Sequence, residues 1–388
     1  VAPRILLDAT AVPADRGGLG RYVDGLMAAL DALGADLAVA CQRADQERYG
    51  RLAPGARIVA GPPGLAHRAT RLAWEQSGLP YVAEQVAADV LHVPTYAMPV
   101  GVTLPTVVTI HDVTLFAEPE PHDPDRTSYI KSATRTAARR ATRLIVPSRA
   151  TRDELVRLLA ADPGHIDVAG HGVDHTMFHR PTDAEVAGIS DRLGLHGRPY
   201  IAYLGTLEPR KNIPNLVRGW VRACAALDEP PALVLAGGGG WDDEVDAALA
   251  AVPPRLRVLR PGYLARPSLP GFYGGALVVA LPSRGEGFGL PVLEAMACGA
   301  AVLTTRRGAL PEVGGDAVAY SEPDSSGIAA ALGDLLGDEP RRARLGEAAW
   351  ERAGGFSWTA SAHAHLASYR KAAERRSVSL QARPKDLA

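Results

Sequence analysis

The chain has 388 residues, 47% of them hydrophobic, which is enough apolar material for two cores. Its 42 basic and 43 acidic side chains leave a net charge of −1, which excludes the strongly basic surface of a general nucleic-acid binder. Cys41, Cys224 and Cys298 are scattered without paired spacing, which argues against a disulfide framework and for reduced thiols in a cytoplasmic protein.

The opening VAPRILLDATAVP carries Asp8 inside its apolar run and is too short for a signal peptide. No stretch approaches the length of a transmembrane helix. The expected location is cytoplasmic, at most peripheral at the inner membrane face.

In chain order, β-like runs at 4–10, 36–41, 57–61, 89–93, 106–110, 143–146 and 165–169 alternate with helix-like segments. A polar, turn-rich stretch at 179–198, ending in Gly197-Arg198-Pro199, reads as a linker. Further β-like runs follow at 200–204, 232–236, 255–259, 276–281, 300–305 and 317–320. This alternation predicts an α/β protein with two Rossmann-like domains, 1–178 and 199–357, each with a parallel sheet. From Trp358 a helix-like pattern (Trp358, Leu366, Tyr369) is expected to pack back on the first domain, with 377–388 weakly ordered.

Ligands in open α/β sheets sit beyond the carboxyl ends of the strands, and the unusual clusters fall there. After the first strand comes Gly17-Gly18-Leu19-Gly20-Arg21-Tyr22, and after 106–110 comes His111-Asp112. After 200–204 comes Gly205-Thr206-Leu207-Glu208-Pro209-Arg210-Lys211-Asn212. After 276–281 comes a loop with Gly285, Gly287 and Gly289, then a helix from about Leu290 with Pro291 in its first turn and Gly299 at its end. Facing domains would bring these clusters to one interdomain cleft. The last helix would aim its N-terminal amides at the glycine loop, a place for phosphate. Glu286 in that loop and Glu294 one turn into the helix add carboxylates, which accept hydrogen bonds from hydroxyls. Phosphate and hydroxyls together indicate a sugar nucleotide.

Plainer readings compete at each motif. A dinucleotide fingerprint, with Arg306-Arg307 for a 2′-phosphate, fails because its third glycine would fall at Leu290. Gly17–Gly20 alone is an ordinary strand-to-helix turn, and Arg210-Lys211 alone a solvated pair. A lone His111 would be a core or capping residue, while His363 and His365 suit no helical metal pair. Gly237–Gly240 precedes Trp241-Asp242-Asp243, acidic residues that cap a helix and repel phosphate. Asp123-Pro124-Asp125 has the D-x-D form of metal-dependent enzymes but reads as a helix start. Lys131, Arg135, Arg139 and Arg143 recur every four residues, predicting a cationic stripe on one helix. It is either a solvated face or a contact with an anionic membrane surface or lipid diphosphate.

These residues together resemble glycosyltransferase family 4, the retaining GT-B enzymes, over nearly the whole chain. The resemblance is carried by GGLGRY, IHD at 110–112, VPSRATRDEL at 146–155, GVDHTMF at 172–178, GTLEPRKN at 205–212, GEGFGLPVLEAMACG and GALPEVGGDA at 308–317. HDVTLFAEPEPHDP with GTLEPRKN looks most like the bacterial mannosyltransferase branch. The resemblance implies that Glu286 holds donor-sugar hydroxyls and Glu294 the ribose. It implies that the amides of Phe288, Gly289 and Leu290 meet the sugar and diphosphate. Arg210 and Lys211 would neutralise the diphosphate, Gly17 and Gly18 would approach it, and His111 would touch the donor sugar and shape the acceptor side. Gly205, Tyr263 and Leu264 would also line the donor, the loop after Gly262 meeting the base. Pro267, Pro270 and Gly271 crowd the following helix, which is expected to be shortened or shifted from Leu269.

The implied reaction is transfer of a hexose, first mannose from GDP-mannose, to a hydroxyl of a carbohydrate, lipid-linked or small-molecule acceptor. UDP-hexose and UDP-N-acetylhexosamine donors come next. The family mechanism is front-face return, not a covalent intermediate on Glu286. No metal or other cofactor is expected. A nucleotide-sugar epimerase of the same fold and a non-catalytic sugar-nucleotide binder are the alternatives from other classes.

Overall fold

The computed structural model describes residues 2–117 and 124–381. The chain divides into two compact units, one running up to Gly172 and resuming at Ser357, the other Val173–Phe356. The first holds seven strands: β1 (Ile5–Asp8), β2 (Leu37–Cys41), β3 (Arg57–Ala60), β4 (Val90–Val93), β5 (Thr106–Thr109), β6 (Arg143–Val146) and β7 (Ile166–Val168). Their order is β3-β2-β1-β4-β5-β6-β7, all parallel. The second holds β8 (Tyr200–Leu204), β9 (Ala232–Ala236), β10 (Val258–Gly262), β11 (Val278–Leu281), β12 (Val302–Thr305) and β13 (Ala319–Ser321). Their order is β10-β9-β8-β11-β12-β13, again all parallel.

Central strands such as β2 and β9 are buried along their whole length, so they read as unbroken apolar runs, not alternating ones. In each sheet the order reverses beside the first strand of the unit. The crevice beyond β1 and β4, and that beyond β8 and β11, are the topological switch points where such sheets take ligands.

Three expectations about organisation change. The stretch 179–198 is not a linker: Thr182 and Glu185 form a reciprocal capping box, and the helix Asp183–Arg192 follows. That helix packs on Leu269–Gly274, where a Cβ at Gly271 would lie 2.4 Å from the Glu185 carbonyl oxygen. The first unit accordingly ends at Gly172 rather than 178, and the second begins at Val173. The Leu269–Gly274 helix starts at Leu269 after all, because Pro270 falls in the first turn, where no amide hydrogen is needed. Strand β10 sits three residues beyond the expected 255–259.

The terminal helix Trp358–Gln381 belongs to the first unit and packs on the helix Gly17–Ala32. Of the tail expected to be weakly ordered, residues 377–381 continue this helix, and the remainder lies outside the described residues.

The cationic stripe also changes. Arg143 is the first residue of β6, not part of the helix Pro124–Arg140, and its guanidinium is buried. It forms a forked pair with Asp167 at 2.9 and 2.8 Å and donates to the Gly164 carbonyl at 2.7 Å. Lys131 and Arg135 lie over the Phe116 ring, 5.8 and 5.2 Å from its centroid. Asp123 of the D-x-D reading, and residues 118–123 of HDVTLFAEPEPHDP, lie outside the described residues.

Candidate active site

In the second unit, neighbouring strands β8 and β11 deliver two loops to the switch point. After β8 the chain passes Gly205 and closes a tight turn at Pro209–Lys211. Asn212 follows in the left-handed region at φ 65° and is fully buried. Its amide nitrogen donates to the Pro282 carbonyl at 3.1 Å and the Pro323 carbonyl at 2.6 Å, which fixes the turn against the second loop. The Arg284 amide donates to the Arg210 carbonyl at 2.8 Å and completes the seam.

Glu286 is the hub. Arg210 Nη1 donates to its Oε2 at 2.5 Å and to the Gly285 carbonyl at 3.1 Å. Lys211 Nζ donates to Oε1 at 2.5 Å, and Ser283 Oγ donates to the same oxygen at 2.8 Å. Glu208 takes the other end of the Arg210 guanidinium. Burial works against ionisation of Glu286, but the Arg210 and Lys211 charges prevail and hold its carboxyl down at about 2. The Glu286 backbone is held as well: its carbonyl accepts from the Ala309 amide at 2.9 Å, and Gly308 lies so close that a Cβ there would sit 2.4 Å from it. Two cations and two carboxylates, Glu286 and Glu208, therefore sit on a rigid frame at a strand-end crevice.

Gly289, at φ 100°, turns the chain into the helix Leu290–Ala297, which has no acidic residue in its first turn to oppose an anion. Glu294 is 2% exposed, and the Tyr273 hydroxyl donates to its Oε2 at 3.3 Å. Phe288 is buried, with its ring edge-on to Phe356. Gly205 is held because Gly237 packs on it: a Cβ at Gly237 would lie 2.2 Å from the Gly205 carbonyl oxygen. Past β10, Tyr263 stands 65% exposed, whereas Leu264 is buried.

The first unit holds a cavity of about 750 Å³ beyond β1, β4 and β5, lined by Gly17, Gly18, Gln42, Glu75, Tyr96 and His111 among others. Arg16, at φ 65°, and Gly17, at φ 40°, turn the chain into the helix Gly17–Ala32. A Cβ at Gly18 would meet nothing within 4 Å, so internal packing does not demand glycine there. His111 Nε2 donates to the Pro94 carbonyl at 2.9 Å. Burial pulls the His111 pKa below the usual histidine range, against the pull of Pro94 and Asp112, so the ring is neutral and Nδ1 is an acceptor. Asp112 is a local cap, accepting from Thr114 N at 3.1 Å and Oγ1 at 2.7 Å.

Other contributors escaped sequence reasoning. Ser283 and Glu208 flank the predicted residues, but nothing in their spacing marks them as partners of Glu286 and Arg210. Glu75, 4% exposed on the helix Arg68–Gln85, forms a 3.3 Å pair with Arg71. Burial and nearby Asp8 raise its pKa. A glutamate inside a mixed helical pattern carries no signal of this. Among the described residues no group of three or more His, Cys, Asp or Glu side chains is placed to hold a metal ion.

Two doubly wound parallel sheets with ligand loops at their strand ends are the two Rossmann-like halves of a GT-B fold. The family model described as Glycosyltransferase Family 4 matches residues 16–176, and that described as Glycosyl transferases group 1 matches 189–352. The chain is 31% identical over 271 residues to O-antigen chain mannosyltransferase B of Escherichia coli, covering 69% of this chain and 71% of that protein. It is 31% identical over 393 residues to D-inositol 3-phosphate glycosyltransferase of Corynebacterium kroppenstedtii, covering 91% and 84%. The sucrose-phosphate synthase of Thermosynechococcus elongatus shares the fold, with TM-score 0.76 and 20% identity over 96% of this chain and 99% of that one. The chain belongs to glycosyltransferase family 4 and is a hexosyltransferase.

Proposed function

We propose that the chain transfers mannose from GDP-mannose to a hydroxyl of a glycan, lipid-linked or small-molecule acceptor, with retention of anomeric configuration. The observation that carries the donor site is the cluster of Arg210, Lys211 and Glu286 at the β8/β11 crevice. The mannosyl choice is supported by the identity to the E. coli mannosyltransferase. A UDP-linked hexose or N-acetylhexosamine is the second donor reading. It stays open because the longer match, 91% of this chain, is to a relative whose name does not specify mannose.

In this reading Arg210 and Lys211 turn from Glu286 toward the diphosphate when donor enters. The leaving diphosphate gains charge as the glycosidic bond breaks, so fixed cations stabilise the transition state more than the ground state. Arg210 offers a planar fork to two oxygens, and Lys211 a point charge. Glu286, freed in part, accepts from sugar hydroxyls, and Glu294 accepts from the ribose. Amides of the Phe288–Leu290 turn face the sugar and diphosphate, Gly205, Tyr263 and Leu264 border the nucleotide, and Gly17 and Gly18 leave room for its phosphates. Neutral His111 accepts from a sugar hydroxyl at Nδ1. The acceptor hydroxyl attacks from the face the leaving group vacates, and the leaving phosphate oxygen takes its proton. No metal or other cofactor takes part.

A thermal-shift panel of GDP, UDP, ADP and TDP sugars tests the donor. Stabilisation by GDP-mannose alone supports the reading, and stabilisation only by UDP sugars replaces it with the second. NMR of the product's anomeric proton tests retention, and an inverted product removes the front-face route. Free nucleotide released with sugar epimerisation and no acceptor marks an epimerase. Binding without turnover on any acceptor marks a binding protein.

A further inference from the structure

Behind His111 lies a chain of hydrogen bonds whose direction is fixed at every step. His365 Nδ1 lies 2.7 Å from the Ser361 carbonyl oxygen, which can only accept, so Nδ1 carries the proton. Burial lowers the His365 pKa to about 4, so the ring is neutral and Nε2 accepts from the Tyr22 hydroxyl at 2.7 Å. With its proton committed, the Tyr22 oxygen accepts from Thr109 Oγ1 at 2.8 Å. Thr109 Oγ1 then accepts from His92 Nε2 at 2.8 Å. His92, also kept neutral by burial, accepts at Nδ1 from the Tyr369 hydroxyl at 2.8 Å.

The chain begins at Tyr369 and ends at Ser361, both on the terminal helix, after passing through β4, β5 and the Gly17–Ala32 helix. All five linking side chains are buried, none more than 1% exposed. Two of them touch elements that carry site residues. Thr109 ends β5, which leads directly into His111, and Tyr22 is on the helix that opens with Gly17 and Gly18. The Tyr22 ring meets the His111 ring edge-on, with centroids 4.8 Å apart at 83°. His171, 5.6 Å from His111, stacks on Trp358 of the terminal helix. A buried polar chain with each donor matched has one favoured arrangement, and losing a member strands its neighbour's proton or lone pair.

We propose that Tyr22, His92, Thr109, His365 and Tyr369 are positioning residues for His111, which makes the terminal helix part of the apparatus that orients the site imidazole. This rests on the role given to His111 above. Thr109→Val keeps the shape and removes the hydroxyl, Tyr22→Phe keeps the ring and removes its two bonds, and Thr109→Ser restores the hydroxyl.

GDP release from GDP-mannose is measured for each variant, beside His111→Ala, together with the imidazole nitrogen resonances of histidine-labelled protein. Thr109→Val and Tyr22→Phe are expected to lower kcat about tenfold while KM for GDP-mannose changes less than about twofold. The His111 resonances move in both, and Thr109→Ser stays near wild type. Wild-type kcat and unmoved His111 resonances in both variants, with His111→Ala inactive, overturn the positioning role alone. A fully active His111→Ala overturns the role of His111 and the inference with it. If the wild type releases no GDP, the donor reading fails and the resonances decide: moved supports positioning, unmoved overturns it.

Discussion

Arg210 and Glu286, 76 residues apart in sequence, are joined at 2.5 Å because β8 and β11 are neighbours whose loops leave the sheet at the same crevice. The Arg210 and Lys211 charges are held there by the carboxylates of Glu286 and Glu208. On the proposed reading a donor phosphate would exchange one anion for another, so these cations would not be stripped of every partner.

Glu286→Gln removes that anion and an acceptor for sugar hydroxyls. The expected loss in kcat/KM is roughly 100-fold, or about 2.7 kcal/mol of transition-state stabilisation, read from initial rates of nucleoside diphosphate release. Loss below about threefold would show that Glu286 is not at the reacting sugar.

Glu286 also predicts an acid limit. Its pKa in the folded chain, about 2, lies below the unfolded value near 4.3, so its stabilisation is present above the unfolded value. It disappears as pH falls through the folded value. The urea midpoint of wild type should drop more steeply below about pH 4 than that of Glu286→Gln. Parallel curves would contradict the ion-pair assignment.

The buried histidines predict a second pH response with its own window. His92, His171 and His365 are all lowered by burial, so the unfolded chain binds more protons than the folded one below its histidine pKa. Stability is therefore full above about pH 6.5 and falls as pH moves down toward the folded values. Urea unfolding at pH 7.5 and 5.5 should show the loss, and His365→Phe should reduce it. Equal midpoints in the wild type at both values would refute neutral burial.

Gly18→Ala separates packing from ligand contact. Its Cβ meets nothing within 4 Å, so the melting temperature should stay unchanged while kcat/KM falls about tenfold. Gly237→Ala is the contrasting case, since its φ is 122° and its Cβ would overlap the Gly205 carbonyl. That variant should lose stability. A Gly18→Ala enzyme with wild-type kinetics would remove Gly18 from the donor's surroundings.

The proposed contact with an anionic membrane is left to Lys131, Arg135 and Arg139, because Arg143 is spent inside the first unit on Asp167. Arg143→Ala should lower stability, though Asp167 keeps its pair with Lys371 at 2.6 Å, without changing sedimentation with anionic vesicles. Charge reversal of the other three should abolish sedimentation. Unchanged sedimentation, or none in the wild type, leaves them a solvated face.

All thirteen strands were legible in the sequence, because buried parallel strands are short apolar runs between turn residues. The misplaced one, β10, lies at the edge of its sheet and carries Arg260 and Pro261, so its apolar signal ends before its pairing does. Arg143 shares the four-residue spacing of the stripe only because that spacing continues across a helix end into a strand. The capping box at Thr182 and Glu185 is present in the sequence, but the polar, turn-forming residues around it mask the helix it starts. The site residues stood out through glycine and charge clusters at strand ends. The Tyr22–His92–His365 network did not, since its bonds join residues up to 343 positions apart and obey no local period.

Arg210 and Lys211 are proposed to bind the diphosphate of a sugar nucleotide, and calorimetric titration of GDP-mannose into wild type, Arg210→Ala and Lys211→Ala is the decisive measurement. Saturable binding by the wild type should weaken at least about tenfold in each variant, a loss of about 1.4 kcal/mol or more. Equal affinity in all three proteins, at a site the substitutions leave untouched, would contradict it.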